Sequence, residues 1–98
     1  MAGLRFEWDE KKNRTNQREH GVAFEEAETV FFDEHALFIA DPDHSEHEDR
    51  FILLGFSARL RLLLVFHCYR EGDDVIRIIS ARKAERSERE QYHARWRR

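Results

Sequence analysis

Residues 50–81 read RFILLGFSARLRLLLVFHCYREGDDVIRIISA, and this stretch decides the fold. It holds three β-rich runs, Arg50–Phe56, Leu60–Tyr69 and Val75–Ala81. Branched and aromatic residues at this density suit a pleated, buried surface. Glu71-Gly72-Asp73-Asp74 joins the last two runs as a hairpin loop, which makes them antiparallel. In the middle run, strict alternation turns Leu62, Leu64, Phe66 and Cys68 to one face. Arg61, Leu63, Val65, His67 and Tyr69 turn to the other. Both faces are apolar, so this is the central strand. In the last run Ile76, Ile78 and Ser80 alternate with Val75, Arg77, Ile79 and Ala81. Gly55 marks a bulge or a place of close backbone approach.

Working outward, Ala36–Ala40 is a further short strand, followed by the turn signal Asp41-Pro42-Asp43 and a polar loop, His44 to Asp49. Upstream, Phe24, Ala27, Val30 and Phe31 repeat at helical spacing and predict a helix over Phe24–Phe32, with Glu25, Glu26 and Glu28 outside. Before it, Asp9 is placed to cap a helix through Glu19, and Gly21 supplies the left-handed stop. From Asp9 to His20 that helix has no apolar residue, and Asn13, Asn16 and His20 form a stripe along one side. A fully polar helix needs hydrogen bonds or a partner to hold it. Arg5 to Trp8 is a short strand or an extended lead-in. Residues 84–96 form the last helix, where Ser87 and Glu90 match a capping box and Tyr92 and Trp96 are spaced to dock on a neighbour. The expected fold is α+β. Two N-terminal helices precede an antiparallel sheet of about four strands, and a C-terminal helix follows.

The chain has 98 residues, which fits one domain spanning residues 1–98. It carries 17 Lys plus Arg against 20 Asp plus Glu, a net charge of −3. That total excludes a uniformly basic nucleic-acid binder but hides the distribution. Residues 1–76 hold nine basic and 17 acidic residues, a balance of −8, whereas residues 77–98 hold eight and three, a balance of +5. A basic end on an acidic body points to an anionic ligand or an acidic partner. The lone cysteine, Cys68, excludes an intramolecular disulfide and fits a reducing cytoplasm. The N-terminus lacks the apolar stretch of a signal peptide. The longest apolar run, Leu62–Phe66, falls far short of the ~20 residues that span a bilayer, so no membrane association is expected.

Several marks occur together and in order. They are Phe6-Glu7-Trp8-Asp9-Glu10-Lys11-Lys12-Asn13, His20-Gly21-Val22, Phe24-Glu25-Glu26-Ala27, Glu48-Asp49-Arg50-Phe51, Gly55-Phe56-Ser57, Ile76 through Ala84, and Glu90-Gln91-Tyr92. Together these resemble the BrnT family of bacterial type II toxins. The resemblance covers nearly the whole chain. It implies a small RelE-like ribonuclease that cuts RNA, inhibits translation and arrests growth. It implies a BrnA-like antitoxin with a ribbon-helix-helix part, joined to the toxin in a 2:2 heterotetramer. The pair would repress its own operon, touching operator DNA only through the antitoxin. Ala23 departs from the family pattern, because many relatives carry a capping Ser or Thr there. Its absence weakens the second helix start by about 1 kcal/mol.

Cleaving RNA without a metal requires three services. The 2′-hydroxyl loses a proton, the charge on phosphorus is held, and the leaving 5′-oxygen gains a proton. Arginine suits the second, since its fork matches phosphate oxygens and stays charged. Arg61, Arg77 and Lys83 are the candidate phosphate and transition-state contacts, with His44 or Glu48 as proton-transfer groups. Arg82, Arg86 and Arg89 form a candidate RNA-binding strip with Lys83, although Glu85, Glu88 and Glu90 interleave with it as on a solvated face. Arg77 interrupts an apolar strand, so it is either functional or paired with an acid on a neighbouring strand or loop. Arg61 has the same two readings. Arg61 and His67 share a strand face, but about 20 Å of strand separates them, too far to share one phosphate. Arg50 follows two acids and reads as a structural ion pair. His44 and His47 with a nearby acid suit zinc or manganese, yet Pro42 and the composition make this a loop with solvated histidines. No cofactor is expected. The leading reading is a metal-independent endoribonuclease. The alternatives are a metal-dependent nuclease built on the His44 loop and a non-enzymatic module that only partners a DNA-binding antitoxin.

Overall fold

The structure, a computed structural model, describes residues 3–40, 50–72 and 74–96. Its strands are β1 (Arg5–Glu7), β2 (Leu37–Ala40), β3 (Phe51–Phe56), β4 (Leu62–Arg70) and β5 (Val75–Lys83). Its helices are α1 (Glu10–His20), α2 (Phe24–Ala27) and α3 (Arg86–Trp96), with a 3-10 turn over Glu28–Phe32. The five strands make one sheet in the order β1-β5-β4-β3-β2. The α+β expectation holds. Strands β2 to β5 are the four antiparallel ones. The fifth, β1, is added in parallel to β5 by pairing Arg5–Glu7 with Val75–Arg77. Three residues are too few to show alternation, and their partner lies at the other end of the chain.

The polar helix α1 is held as its composition requires. Asp9 caps it by accepting the N–H groups of Lys11 and Lys12, and Gly21 ends it at φ 69°. Asn13 and Asn16 are buried. The Asn16 side-chain amide donates to the carbonyls of Val22 and Ala81, both at 2.8 Å, and accepts from the Ala81 N–H at 3.2 Å. It thus pairs with β5 as a neighbouring strand would. Asn13 accepts the N–H of Phe24 at 2.8 Å and donates to Glu10 and Glu25. Amide hydrogen bonds replace the apolar stripe that most surface helices use.

The second helix is shorter than its apolar spacing predicts. After Ala27 the chain tightens into the 3-10 turn, in which Thr29 donates its hydroxyl to the Glu26 carbonyl at 2.6 Å. Phe24, Ala27 and Val30 are fully buried and stand three apart, a spacing that suits three residues per turn. Ala23 occupies the N-cap position and makes no side-chain capping bond. At the other end α3 begins at Arg86, and Glu88 rather than Glu90 reaches back, accepting the Glu85 N–H at 2.7 Å.

Core packs on both faces of the sheet. Val22, Phe24, Ala27 and Val30 cover Leu53, Leu63, Val65, Ile78 and Ala81 on one side. Tyr92 and Ala84 cover Ile52, Leu54, Leu62 and Leu64 on the other. The faces of β4 follow the alternation read from sequence. Those of β5 do not, because the register slips between Phe66 and His67. Phe66 opposes Ser80 and His67 opposes Ile78, which leaves Ile79 unopposed. This bulge reverses the alternation. Ile78 and Ala81, three apart, share one core, and residues on either side of Ile79 no longer follow odd-even parity.

Tyr92 and Trp96 dock α3 as their spacing predicts. The Tyr92 hydroxyl donates to Asp33 at 2.8 Å, and the Trp96 indole donates to the His35 carbonyl at 2.9 Å. Burial and the Asp33 carboxylate push the Tyr92 phenol far above its ordinary range. Gly55 marks a close approach. A β-carbon there would lie 2.9 Å from the Ala36 Cβ and 3.0 Å from both Asp33 Oδ2 and Val30 Cγ1. Gly55→Ala is therefore expected to destabilise the fold by about 2 kcal/mol through overpacking. A denaturation midpoint equal to wild type would refute the contact.

Candidate functional site

The bulge sorts the candidate residues onto two faces. Lys83 opposes Leu63, on the side covered by α2 and the 3-10 turn. Arg61 turns to that side too. Arg77 opposes Cys68, and Arg82 opposes Leu64, on the side covered by α3. Arg77 and Arg82 share a face despite their odd and even positions, and Arg77 and Lys83 do not.

Arg61 grips Glu26. Its Nε donates to Oε2 at 2.9 Å, its Nη2 bonds Oε1, and the same Nη2 donates to the Gly21 carbonyl at 3.0 Å. Ser57 donates its hydroxyl to Glu26 at 2.7 Å, and Arg59 stands 3.8 Å away. The Glu26 side chain is 6% exposed, not outside as helical spacing predicted. The Arg61 hydrogen bonds, with those of Ser57, hold its carboxyl below the usual range despite burial. This knot ties α2 to the end of α1 and to the turn between β3 and β4. It satisfies the structural reading of Arg61.

Arg77 donates Nη1 to Glu7 Oε2 at 2.9 Å, across the β1–β5 pair. Arg70 Nε lies 3.6 Å from the same oxygen. Arg82 forks onto Glu88 of α3 at 2.9 and 2.8 Å, and its guanidinium lies 5.9 Å from the Phe66 ring centre. One face thus carries Arg70, Arg77, Arg82, Glu7 and an aromatic ring. The side chains of Arg70, Arg77 and Glu7 are 52%, 31% and 39% exposed, open enough to meet a polymer. Such a face can hold phosphate oxygens in guanidinium forks and offer one carboxylate as a proton acceptor.

Lys83 is exposed and forms no ion pair among the described residues, nor does Arg89. Arg86 pairs with Glu90 at 3.4 Å on the surface of α3, a contact of little energetic weight. His44, Glu48 and His47 lie outside the described residues. Among the described residues Arg50 forms no ion pair, and its buried Nε has no partner. His67 is fully buried among the rings of Phe31, Phe38, Phe51 and Tyr69. Burial lowers its pKa, so it stays neutral and away from solvent. Glu7 and Arg70 escaped sequence reading. The one available signal was Arg77 itself, a charge in an apolar strand that called for an acid on a neighbour.

A family model described as "Ribonuclease toxin, BrnT, of type II toxin-antitoxin system" matches residues 8–88. Among solved structures, the 1.1 Å crystal structure of the Brucella abortus ribonuclease toxin BrnT superposes with a TM-score of 0.65. The match has 24% identity over 86% of this chain and 100% of that chain, and shows a shared fold. No curated protein matches the chain.

Proposed function

The chain belongs to the BrnT family of ribonuclease toxins of type II toxin-antitoxin systems, and from that premise we propose that it cleaves RNA without a metal ion on the α3-side face of its sheet. The observation that carries this reading is the placement of Arg77 and Arg70 on one half-buried carboxylate, Glu7. The two guanidiniums bind the non-bridging oxygens of the scissile phosphate and hold the charge that grows there. Glu7 accepts the 2′-hydroxyl proton. The 2′-oxygen then bonds phosphorus and the bond to O5′ breaks. O5′ leaves with a proton, for which His44 or Glu48 is the candidate donor. The products are a 2′,3′-cyclic phosphate and a free 5′-hydroxyl. Lys83, Arg82, Arg86 and Arg89 serve the flanking RNA. Arg61 supports the site only through the fold.

Cleavage in the cytoplasm would inhibit translation and growth. A BrnA-like ribbon-helix-helix antitoxin would neutralise it, forming a 2:2 complex that represses the operon through the antitoxin's DNA contacts. No described helix is long and apolar enough to cross a membrane.

Purified protein incubated with RNA in excess EDTA is expected to cut at its full rate and to leave cyclic phosphate ends. Activity lost in EDTA and restored by zinc or manganese would transfer the chemistry to a metal. Intact RNA at high protein concentration, with normal growth on induction, would remove the enzyme reading.

A further inference from the structure

β1 pairs only with Val75–Arg77, so beyond Arg77 the edge of β5 is bordered by α1 instead of a strand. Asn16 occupies the backbone of Ala81. Between these two closures, beside the unopposed Ile79, a cleft of about 250 Å³ remains. Lys11, Lys12, Thr15, Glu19 and His20 of α1 line it, with Ser80 on the other wall. None of its four titratable side chains forms an ion pair among the described residues, whereas Arg61, Arg70, Arg77 and Arg82 all do. Lys11 and Lys12 also stand in the first turn of α1, where the helix dipole disfavours cations. Their placement breaks a local rule, and among the described residues no ion pair compensates for it.

The cleft's Ser80 wall opposes Phe66 and so lies on the same face of β5 as Arg77, which opposes Cys68. The Asp9 carboxyl is lowered first by the N–H groups of Lys12 and Lys11, and then by the charges of Lys12 and Arg77. Ser80 follows Arg77 by three residues, roughly 10 Å of strand. That is too far for both ends to hold one phosphate.

We propose that this cleft is a second phosphate subsite for single-stranded RNA, in which Lys11 and Lys12 pair with a phosphate neighbouring the one at Arg77. Thr15 and His20 supply further hydrogen-bond donors, and Glu19 limits the site at its far end. The proposal rests on the ribonuclease reading, because it is RNA leaving the Arg77 face that brings the phosphate to the cleft.

The test titrates the full chain against a fluorescent single-stranded RNA decamer carrying 2′-O-methyl groups, which cannot be cut, and separately assays cleavage of the unmodified decamer. Lys11→Glu and Lys12→Glu should each weaken binding about tenfold. Each should also flatten the dependence of log affinity on log salt by about 0.7 for every phosphate that the protein no longer neutralises. Arg14→Glu, an equal charge change at an exposed position of the same helix outside the cleft, should change binding less than twofold. The Lys variants place acid in the first helical turn, so they should melt no lower than wild type. Equal weakening by Arg14→Glu would reduce the cleft to diffuse attraction, and wild-type affinity in both Lys variants would leave it unused. If wild type cleaves while the Lys variants bind normally, only the subsite falls. If wild type neither binds nor cleaves, both readings fall.

Discussion

Replacing Arg61 with alanine will destabilise the protein by about 3 kcal/mol, because it leaves the buried Glu26 carboxylate without its partner, and Glu26→Gln will cost less, because the Arg61 it leaves behind is partly solvated. The Glu26 side chain is 6% exposed, so water replaces little of what Arg61→Ala removes. Arg61 also holds the Gly21 carbonyl, so the truncation loosens the stop of α1 as well. For a chain of this size the loss corresponds to a melting temperature lower by about 15 °C. Arg59→Ala, which removes a 3.8 Å contact from a side chain 73% exposed, should change stability by less than about 0.5 kcal/mol. The pH dependence has a defined sign. Glu26 has its carboxyl lowered in the fold, from a reference of 4.5. The pair's contribution is therefore complete above the unfolded carboxylate range and disappears as pH falls through the folded value. Below about pH 4.5 wild type should lose stability more steeply than Glu26→Gln. Urea midpoints for the three variants, taken at pH 7 and pH 4, decide the matter. An Arg61→Ala midpoint within error of wild type would return Arg61 to the candidates for chemistry.

Arg61 also shows where sequence reading stops. Alternation placed it correctly on the face opposite Leu62, and charge in an apolar strand correctly demanded an explanation. The explanation lay 35 residues upstream, in a glutamate that helical spacing turned outward. Glu26 faces inward because the chain tightens after Ala27 and because Arg61 is there to meet it. The polar stripe of α1 was legible from its own composition, since a helix without apolar residues must be held by hydrogen bonds. Its partner, the Ala81 backbone, was not, because nothing local in residues 10–20 names a strand edge 65 residues away. The unopposed Ile79 is the deeper limit. Ile78 and Ile79 suit a strand equally well, so the slip between them leaves no mark in composition. Yet it is the slip that puts Arg77 and Arg82 on one face and sends Lys83 to the other. Half of the candidate site was thus visible as residue types, and its assembly was set by one register shift.

Arg77→Ala is expected to lower kcat/KM for RNA cleavage by about 10²–10³-fold, the loss seen when one preorganised donor to a developing oxyanion is removed. The fold should survive. The Arg77–Glu7 pair is 31% and 39% exposed, and pairs of that kind contribute at most about 1 kcal/mol. Glu7→Gln keeps the size and hydrogen-bonding capacity of the side chain but removes the proton acceptor, so it should lower kcat with little change in KM. Arg77→Lys keeps the charge without the fork and should fall between wild type and alanine. This pattern differs from that of Arg61→Ala, whose activity should track the folded fraction and recover on cooling to a temperature where the variant is native. The two arginines therefore separate by experiment, one losing chemistry at constant stability and the other stability at constant chemistry. An Arg77→Ala protein that melts like wild type and cleaves RNA at the wild-type rate would place the reaction elsewhere. A variant that arrests growth as strongly as wild type would carry the same conclusion into the cell.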